Sequence, residues 1–330
     1  MSIVVVGSLN MDYVLQVPGL PKRGETVFAA GYSTAPGGKG ANQAVASKRL
    51  GSRVYMVGRV GRDAAGRALI KCLEEAGVDI SEVKDDPRES TGSAYITVSQ
   101  DGTNTIVVNR GANFVLEPSH VLDAESQIQD ANVVVAQLET PTETVFEALK
   151  LARKHNTVTV LNPAPMVPLE PEILTLVDWL IPNETEAVSL LRLLGQWDDR
   201  DEERLRCDLT QEFAIEAAGR LAEVTGAHVI ITLGDKGCVY VGSSDRDGLA
   251  FPAYEVNAVD TTAAGDAFVG ALACALDEDS GSSANIAELV SFAQATAALA
   301  TTKLGAQPSL PTRIEVEEFL SEQKRGDGNG

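Results

Sequence analysis

Four consecutive apolar β-branched residues, Ile3-Val4-Val5-Val6, follow a short polar start and predict a strand buried on both faces. Gly7-Ser8-Leu9-Asn10 then turns the chain out of it. Residues 13–17 and 25–32 predict two short strands around the Pro18-Gly19-Leu20-Pro21 turn, with no helix between them. A helix is expected over 41–50, a strand over 54–60, and an amphipathic helix over 65–76 closed by Gly77. Residues 91–98 and 105–108 alternate around Gln100-Asp101-Gly102, a hairpin signal. The segments at about 12–34 and 91–110 are therefore expected to form a small β lid.

Beyond Gly111 the pattern becomes strand then helix. Strands are expected over 133–137, 158–161, 179–181, 229–232 and 238–241, and helices over 142–155, from near Thr185, and over 213–225. Three more helices are expected, over 267–276, 286–302 and near 315–323, before a flexible tail at 324–330. That rhythm implies right-handed crossovers. The expected fold is α/β: one domain over 1–330, with a doubly wound, mostly parallel sheet flanked by helices and a small β-sheet lid.

Composition narrows the partners. Twenty-seven basic against 47 acidic residues give a net charge of -20, which argues against nucleic acid and anionic membranes. No apolar run is long enough to span a bilayer and no charged leader precedes the first strand, so a cytoplasmic location is expected. Cys72, Cys207, Cys238 and Cys274 form no CxxC pair, and His120, His155 and His228 show no ligand spacing. The cluster Asp198, Asp199, Asp201, Glu202 and Glu203 reads as a solvated insertion within 196–212.

The chemistry concentrates at Asn257 to Gly270, where Asp260 and Asp266 bracket small residues ending in Gly265. The first N–H groups of a helix lack internal partners, and the helix dipole adds positive charge there. Thr261, Thr262, Ala263 and Ala264 carry little bulk, so a phosphate can approach the main chain. Asp266 can take a proton from a substrate hydroxyl while the amides stabilise a transferring phosphoryl group. The plainer alternative is a helix-start acid and a turn residue.

Other polar residues fall at strand ends. Asn10 and Asp12 can bind sugar hydroxyls or form an Asx turn. Ala35 to Ala44 contains Gly37-Gly38-Lys39-Gly40 and Asn42, which suit a flat ligand or simply a flexible turn; the Walker spacing is absent. Glu139 follows a strand, as does Asn162-Pro163-Ala164-Pro165. Asn183 and Glu186 can hold a hydrated Mg2+ with its phosphates, or form a capping box. Leu233-Gly234-Asp235-Lys236-Gly237 can lie along a nucleotide or merely close a hairpin.

Five of these stretches taken together resemble the ribokinase family of carbohydrate kinases, the PfkB family. They are Gly37-Gly38-Lys39-Gly40-Ala41-Asn42, Pro182-Asn183-Glu184-Thr185-Glu186, Thr232-Leu233-Gly234, Asp260-Thr261-Thr262-Ala263-Ala264-Gly265-Asp266 and Gly305-Ala306-Gln307-Pro308-Ser309. The resemblance runs in order over nearly the whole chain. It implies ATP across the sheet's C-terminal edge and phosphorylation of a sugar's primary hydroxyl. By it, Asp266 is the catalytic base and the Ala263, Ala264 and Gly265 amides form its anion hole. Asn10, Asp12, Gly38, Lys39, Asn42 and Glu139 match positions that bind ribose. Asn183 and Glu186 match the Mg2+ and phosphate motif. Thr232, Leu233, Gly234, Asp235, Lys236, Gly237, Gly265 and Gln294 match nucleotide contacts. A K+ site maps onto Asp260, Thr262, Ala300, Lys303, Gly305 and Ser309, several of them through backbone carbonyls.

The acidic insertion after Leu194 is longer than the family pattern. Fructokinases and nucleoside kinases share the second aspartate motif, whereas the Gly-Gly-Lys-Gly-Ala-Asn run and Glu139 look most like ribose-specific members. Another sugar or a nucleoside is the alternative substrate, and a catalytically silent sugar-binding protein is a further one. A dinucleotide oxidoreductase is disfavoured, because Gly7-Ser8-Leu9-Asn10 is not GxGxxG. The open edges of a lid sheet suit a homodimer through the lid.

Overall fold

The first apolar run becomes the middle of the molecule. In the computed structural model, which describes residues 1–198, 201, 210–243, 247–279 and 285–327, β1 (Ile3–Val6) is buried at every position. Ile3 and Val5 pack among residues of the helices Lys39–Arg49 and Ala264–Glu278, while Val4 and Val6 pack with residues of the helix Thr142–Lys154. A strand covered on both faces needs no polar alternation, which accounts for the unbroken apolar run.

The chain leaves this body through β2 (Asn10–Val17) and β3 (Gly31–Gly37), returns for β4 (Val54–Gly61) and β5 (Asp79–Asp86), and leaves again through β6 (Gly92–Ser99) and β7 (Asn104–Asn109). It then adds β8 (Val133–Ala136), β9 (Val158–Leu161), β10 (Trp179–Leu180), β11 (His228–Thr232), β12 (Cys238–Val241) and β13 (Leu249–Phe251). Among the described residues the main sheet runs β13-β12-β11-β10-β9-β8-β1-β4-β5. It is parallel from β5 to β11, and β12 and β13 are antiparallel additions. The expected doubly wound α/β fold is present. Its strand order reverses between β1 and β8, and such switch points open a crevice beyond the strand ends. The residues following β1 and β8 therefore meet there.

The second sheet runs β3-β2-β6-β7, with β2 parallel to β6 and the other pairs antiparallel. The strand expected over 25–32 is displaced: β3 covers Gly31–Gly37, and Phe28 is exposed. Seven ladder pairs with β2, from Gln16↔Gly31 to Asn10↔Gly37, override the turn signals of Gly31, Pro36 and Gly37. Pro36 is tolerated because β3 is an edge strand. Highly charged β5 carried no strand signal, yet a sheet edge accommodates charge. The last helix continues to Asp327, past the end expected for it, and 328–330 lie outside the described residues.

Most of the acidic insertion, with Asp199, Glu202, Glu203 and Cys207, also lies outside the described residues. Asp201 is not solvated as expected: it is buried and paired with Arg220 at 2.7 Å.

Two glycines bring the site together. A Cβ on Gly40 would lie 2.6 Å from Ser8 N, so the helix Lys39–Arg49 starts directly against the turn after β1. A Cβ on Gly270 would lie 2.6 Å from Ala46 Cβ and 2.8 Å from Gln43 O. Ser47 Oγ also donates to both Gln43 O and Gly270 O at 2.9 Å. The helices Lys39–Arg49 and Ala264–Glu278 thus touch one turn beyond Asp266.

Candidate active site

That contact puts two amides on the expected base. Asn42 Nδ2 donates to Asp266 Oδ2 at 2.9 Å, and Gln43 Nε2 donates to Asp266 Oδ1 at 3.0 Å. All three side chains are buried. Asn42 Oδ1 is buried and has no hydrogen-bond partner among the described residues.

Asp266 sits in the first turn of its helix behind Ala263, whose φ of 62° is left-handed and uncommon for a residue with a Cβ. Ala264 N is already taken by Thr261 O at 3.2 Å. Among the described residues the amides of Gly265 and Asp266 have no hydrogen-bond acceptor, as expected of a helix start. An added Cβ at Gly265 would meet nothing within 4 Å, so space is left above these amides.

At the switch point Glu139 collects three donors on Oε2: the Ser8 hydroxyl, Lys39 N at 3.1 Å and Asn10 Nδ2 at 3.4 Å. Gly38 makes this possible, since its φ is +92° and a Cβ there would lie 2.6 Å from Asn10 N. Burial opposes the charge on the Lys39 ammonium, but Asp266, Glu139 and Glu186 outweigh it and hold the group protonated.

Burial, then the charges of Glu139 and Asp266, push the Asp12 carboxyl up to about 7. Unfolded, the same group titrates at its ordinary 3.8. Between these values the folded state holds the extra proton, so stability falls as pH rises from about 4 and levels off above about 7. Asp12→Asn is expected to be more stable than the parent at pH 8 by on the order of 4 kcal/mol, with the difference vanishing toward pH 4. Thermal melts across that range check this; an equal gain at both ends would contradict it.

Two adjoining cavities complete the site. A cleft of about 760 Å³ is lined by Thr232, Gly234, Asp235, Gly237, Gln294 and Tyr254 among others. A cavity of about 250 Å³ is lined by Lys39, Asn162, Asn183, Glu186, Ala263 and Asp266 among others. Thr232, Thr261 and Gly265 line both, so the two meet at the free amides. Gln294 Nε2 donates to Phe251 O at 3.1 Å. Leu233 and Lys236, expected among the nucleotide contacts, are absent from both linings. Leu233 is buried in the core, as its apolar side chain favours, and Lys236 is exposed outside the cleft lining.

Asn183 and Glu186 form the reciprocal capping box, with Asn183 Oδ1 accepting from Glu186 N at 2.9 Å and Glu186 Oε2 from Asn183 N at 2.8 Å. Both still line the smaller cavity. Burial raises the Glu186 carboxyl despite that bond and Lys39.

Asp260 Oδ1 accepts from Thr262 N at 2.9 Å and Thr262 Oγ1 at 2.6 Å, and Oδ2 accepts from Gly305 N at 2.9 Å. It therefore ties the loop before Asp266 to the loop 303–305. Ala300 lies in the last turn of the helix Ile286–Thr301, where terminal carbonyls favour positive charge. Buried Ser309 donates to Ala306 O at 2.8 Å, and the Lys303 ammonium is engaged by Glu315 at 2.7 Å. The Lys303 side chain is thus engaged at the surface, away from Asp260's partners Thr262 and Gly305.

A family model for pfkB family carbohydrate kinases matches residues 1–313. The chain belongs to that family. A ribokinase of Haemophilus influenzae is 39% identical over 319 residues, covering 97% of this chain and 98% of that protein. A deoxyribokinase of Salmonella typhi is 35% identical, covering 97% and 99%. The solved structure of Arabidopsis thaliana ribokinase complexed with ribose and ATP is 32% identical, covers 97% of this chain and 98% of that one, and superposes with a TM-score of 0.85.

Several residues at the site of this carbohydrate kinase gave no functional signal in the sequence. Ser8 reads as a turn residue, yet it reaches Glu139. Asn113, in a short 3-10 turn, donates to Asn10 Oδ1 at 2.7 Å and accepts from Leu9 N at 2.9 Å. Gln43 and Gln137 are polar residues in otherwise apolar surroundings, and that contrast is the one available clue. Among the described residues, no helix is long and apolar enough to cross a membrane.

Proposed function

We propose that this kinase transfers the γ-phosphoryl group of ATP to the O5 hydroxyl of ribose, giving ribose 5-phosphate and ADP. The observation that carries the reading is the Asn42–Asp266 pair. One amide binds the base at 2.9 Å, and its own buried oxygen has no donor, as a missing sugar hydroxyl would leave it. Asn10, Asp12, Gly38, Lys39 and Glu139 frame the sugar, and the cleft from Thr232 to Gln294 takes the nucleotide. Asp266 removes the O5 proton as O5 bonds to phosphorus and the bond to ADP breaks, while the Gly265 and Asp266 amides and Lys39 stabilise the developing charge. Asn183 and Glu186 would hold Mg2+ through water, and the ion would neutralise phosphate charge. The small sheet, carrying Asn10 and Asp12 at its base, closes as a lid and excludes water.

The K+ assignment to Asp260, Thr262, Ala300, Lys303, Gly305 and Ser309 is part of the same proposal. A cation there would steady the loop that ends at Ala263. Exposed Tyr32, Tyr95 and Val107 on one face of the small sheet favour a homodimer through the lid, and we place the enzyme in the cytoplasm.

2-Deoxyribose is the second substrate reading, favoured by the similarity to a deoxyribokinase. The test is ADP release from Mg-ATP with ribose, 2-deoxyribose, fructose, adenosine or no sugar, with K+ or with a bulky organic cation. Ribose is expected to be fastest and K+ to accelerate it, and Asp260→Asn is expected to lose the K+ response. Another sugar turning over faster would move the substrate. An unchanged salt response in Asp260→Asn would remove the cation site, and no turnover with any sugar would leave a binding protein.

A further inference from the structure

Beside Asp266 runs a chain of buried amides, from Asn162 at the wall of the smaller cavity inward to Gln43 and Gln137. Asn162 Nδ2 donates to the main-chain carbonyl of Ile181 at 2.8 Å. A carbonyl can only accept, so this bond orients the Asn162 amide and turns its Oδ1 toward Gln43. Gln43 Nε2 then donates to Asn162 Oδ1 at 3.2 Å and to Asp266 Oδ1 at 3.0 Å. On its other side Gln43 Oε1 accepts from Gln137 Nε2 at 2.7 Å. Gln43 and Gln137 are completely buried. Every amide orientation in the chain follows from one backbone acceptor, and the result is an N–H aimed at one oxygen of the carboxylate. Asn42 serves the other oxygen, and Gln43 is wholly enclosed by protein.

We propose that Gln43 is a positioning residue for Asp266, set by Asn162 and Gln137. It holds the carboxylate plane so that Oδ2 is the oxygen presented to the substrate hydroxyl. The inference rests on Asp266 being the base.

A double-mutant cycle tests it, with kcat, the ribose KM and the melting temperature measured for Gln43→Met, Asp266→Asn and the pair. Loss of a hydrogen bond to a charged group predicts a fall in kcat of about 10- to 100-fold for Gln43→Met, with the ribose KM within about threefold of the parent. In the Asp266→Asn background the same change is expected to cost less than about twofold, because a residue that acts through another has nothing left to act on. An unchanged kcat, or an equal loss in both backgrounds, would overturn the proposal. Normal turnover by Asp266→Asn alone would instead remove the base on which it rests. Should Gln43→Met fail to fold, Gln137→Met carries the same cycle one bond further out. A loss of about 3- to 10-fold in kcat, absent beside Asp266→Asn, supports the proposal, and no loss or an additive one overturns it.

Discussion

Asp266→Asn is expected to lower kcat by about 10²- to 10⁴-fold, the usual worth of a positioned general base, while ribose binding changes only a few-fold. The substitution keeps the side chain's shape and removes its proton-accepting charge. Asn42 Nδ2 and Gln43 Nε2 now point at the two carboxylate oxygens, and an amide can accept on only one side. One donor therefore loses its partner, a modest structural cost beside the loss of the base. Single-turnover rates with ribose and Mg-ATP separate the chemical step from binding, and calorimetry with ribose alone reads the affinity. A rate near that of the parent would exclude Asp266 as the base and leave it a helix-start acid.

The second large effect belongs to Glu139. Its Oε2 already accepts from Ser8, Asn10 and Lys39 N, and Oε1 takes part in none of these bonds, leaving it for a sugar hydroxyl. Glu139→Ala removes that acceptor and the common partner of three groups around it. Each hydrogen bond to a charged group is worth about 1.5–3 kcal/mol, so ribose affinity is expected to fall by at least ~100-fold. The kcat at saturating sugar should fall much less, because Asp266 and its amides lie on the helix Ala264–Glu278 and are untouched. Titration of the variant with ribose decides the matter, and an affinity within threefold of the parent would take Glu139 out of the sugar site. Glu139→Gln separates charge from shape: its amide oxygen can take the place of Oε2 and keep the three donors, so its loss falls on the free side, where an NH2 replaces an acceptor, and should be smaller than that of Glu139→Ala.

Both predictions follow residues that were legible in the sequence, because each stands in a motif or at a strand end. The pairings that hold them were not. Asn42 and Gln43 are 224 and 223 residues from Asp266. What joins them is the absence of a side chain at Gly40 and Gly270, which lets one helix start against β1 and lean on another. A glycine in a helical pattern reads only as a cost to the helix. The lid strand was misplaced for a related reason: Gly31 to Gly37 has turn composition, and the ladder with β2 makes it a strand. Turn chemistry does not tell which way Leu233 and Lys236 face; in the fold Leu233 turns into the core and Lys236 to the surface.

The sequence by itself determined the alternation of strands and helices, the doubly wound class, the positions of the acids and glycine turns, and the family resemblance. These are local properties, written in hydrophobic period, turn chemistry and short motifs. Only the tertiary structure decided that Glu139 meets Ser8, Asn10 and Lys39 at the point where strand order reverses. It alone set Asp201 in a buried ion pair and aligned Asn162, Gln43 and Gln137 behind Asp266. Those outcomes depend on which buried donors and acceptors must find one another once water is excluded, a condition that exists only after the helices have packed.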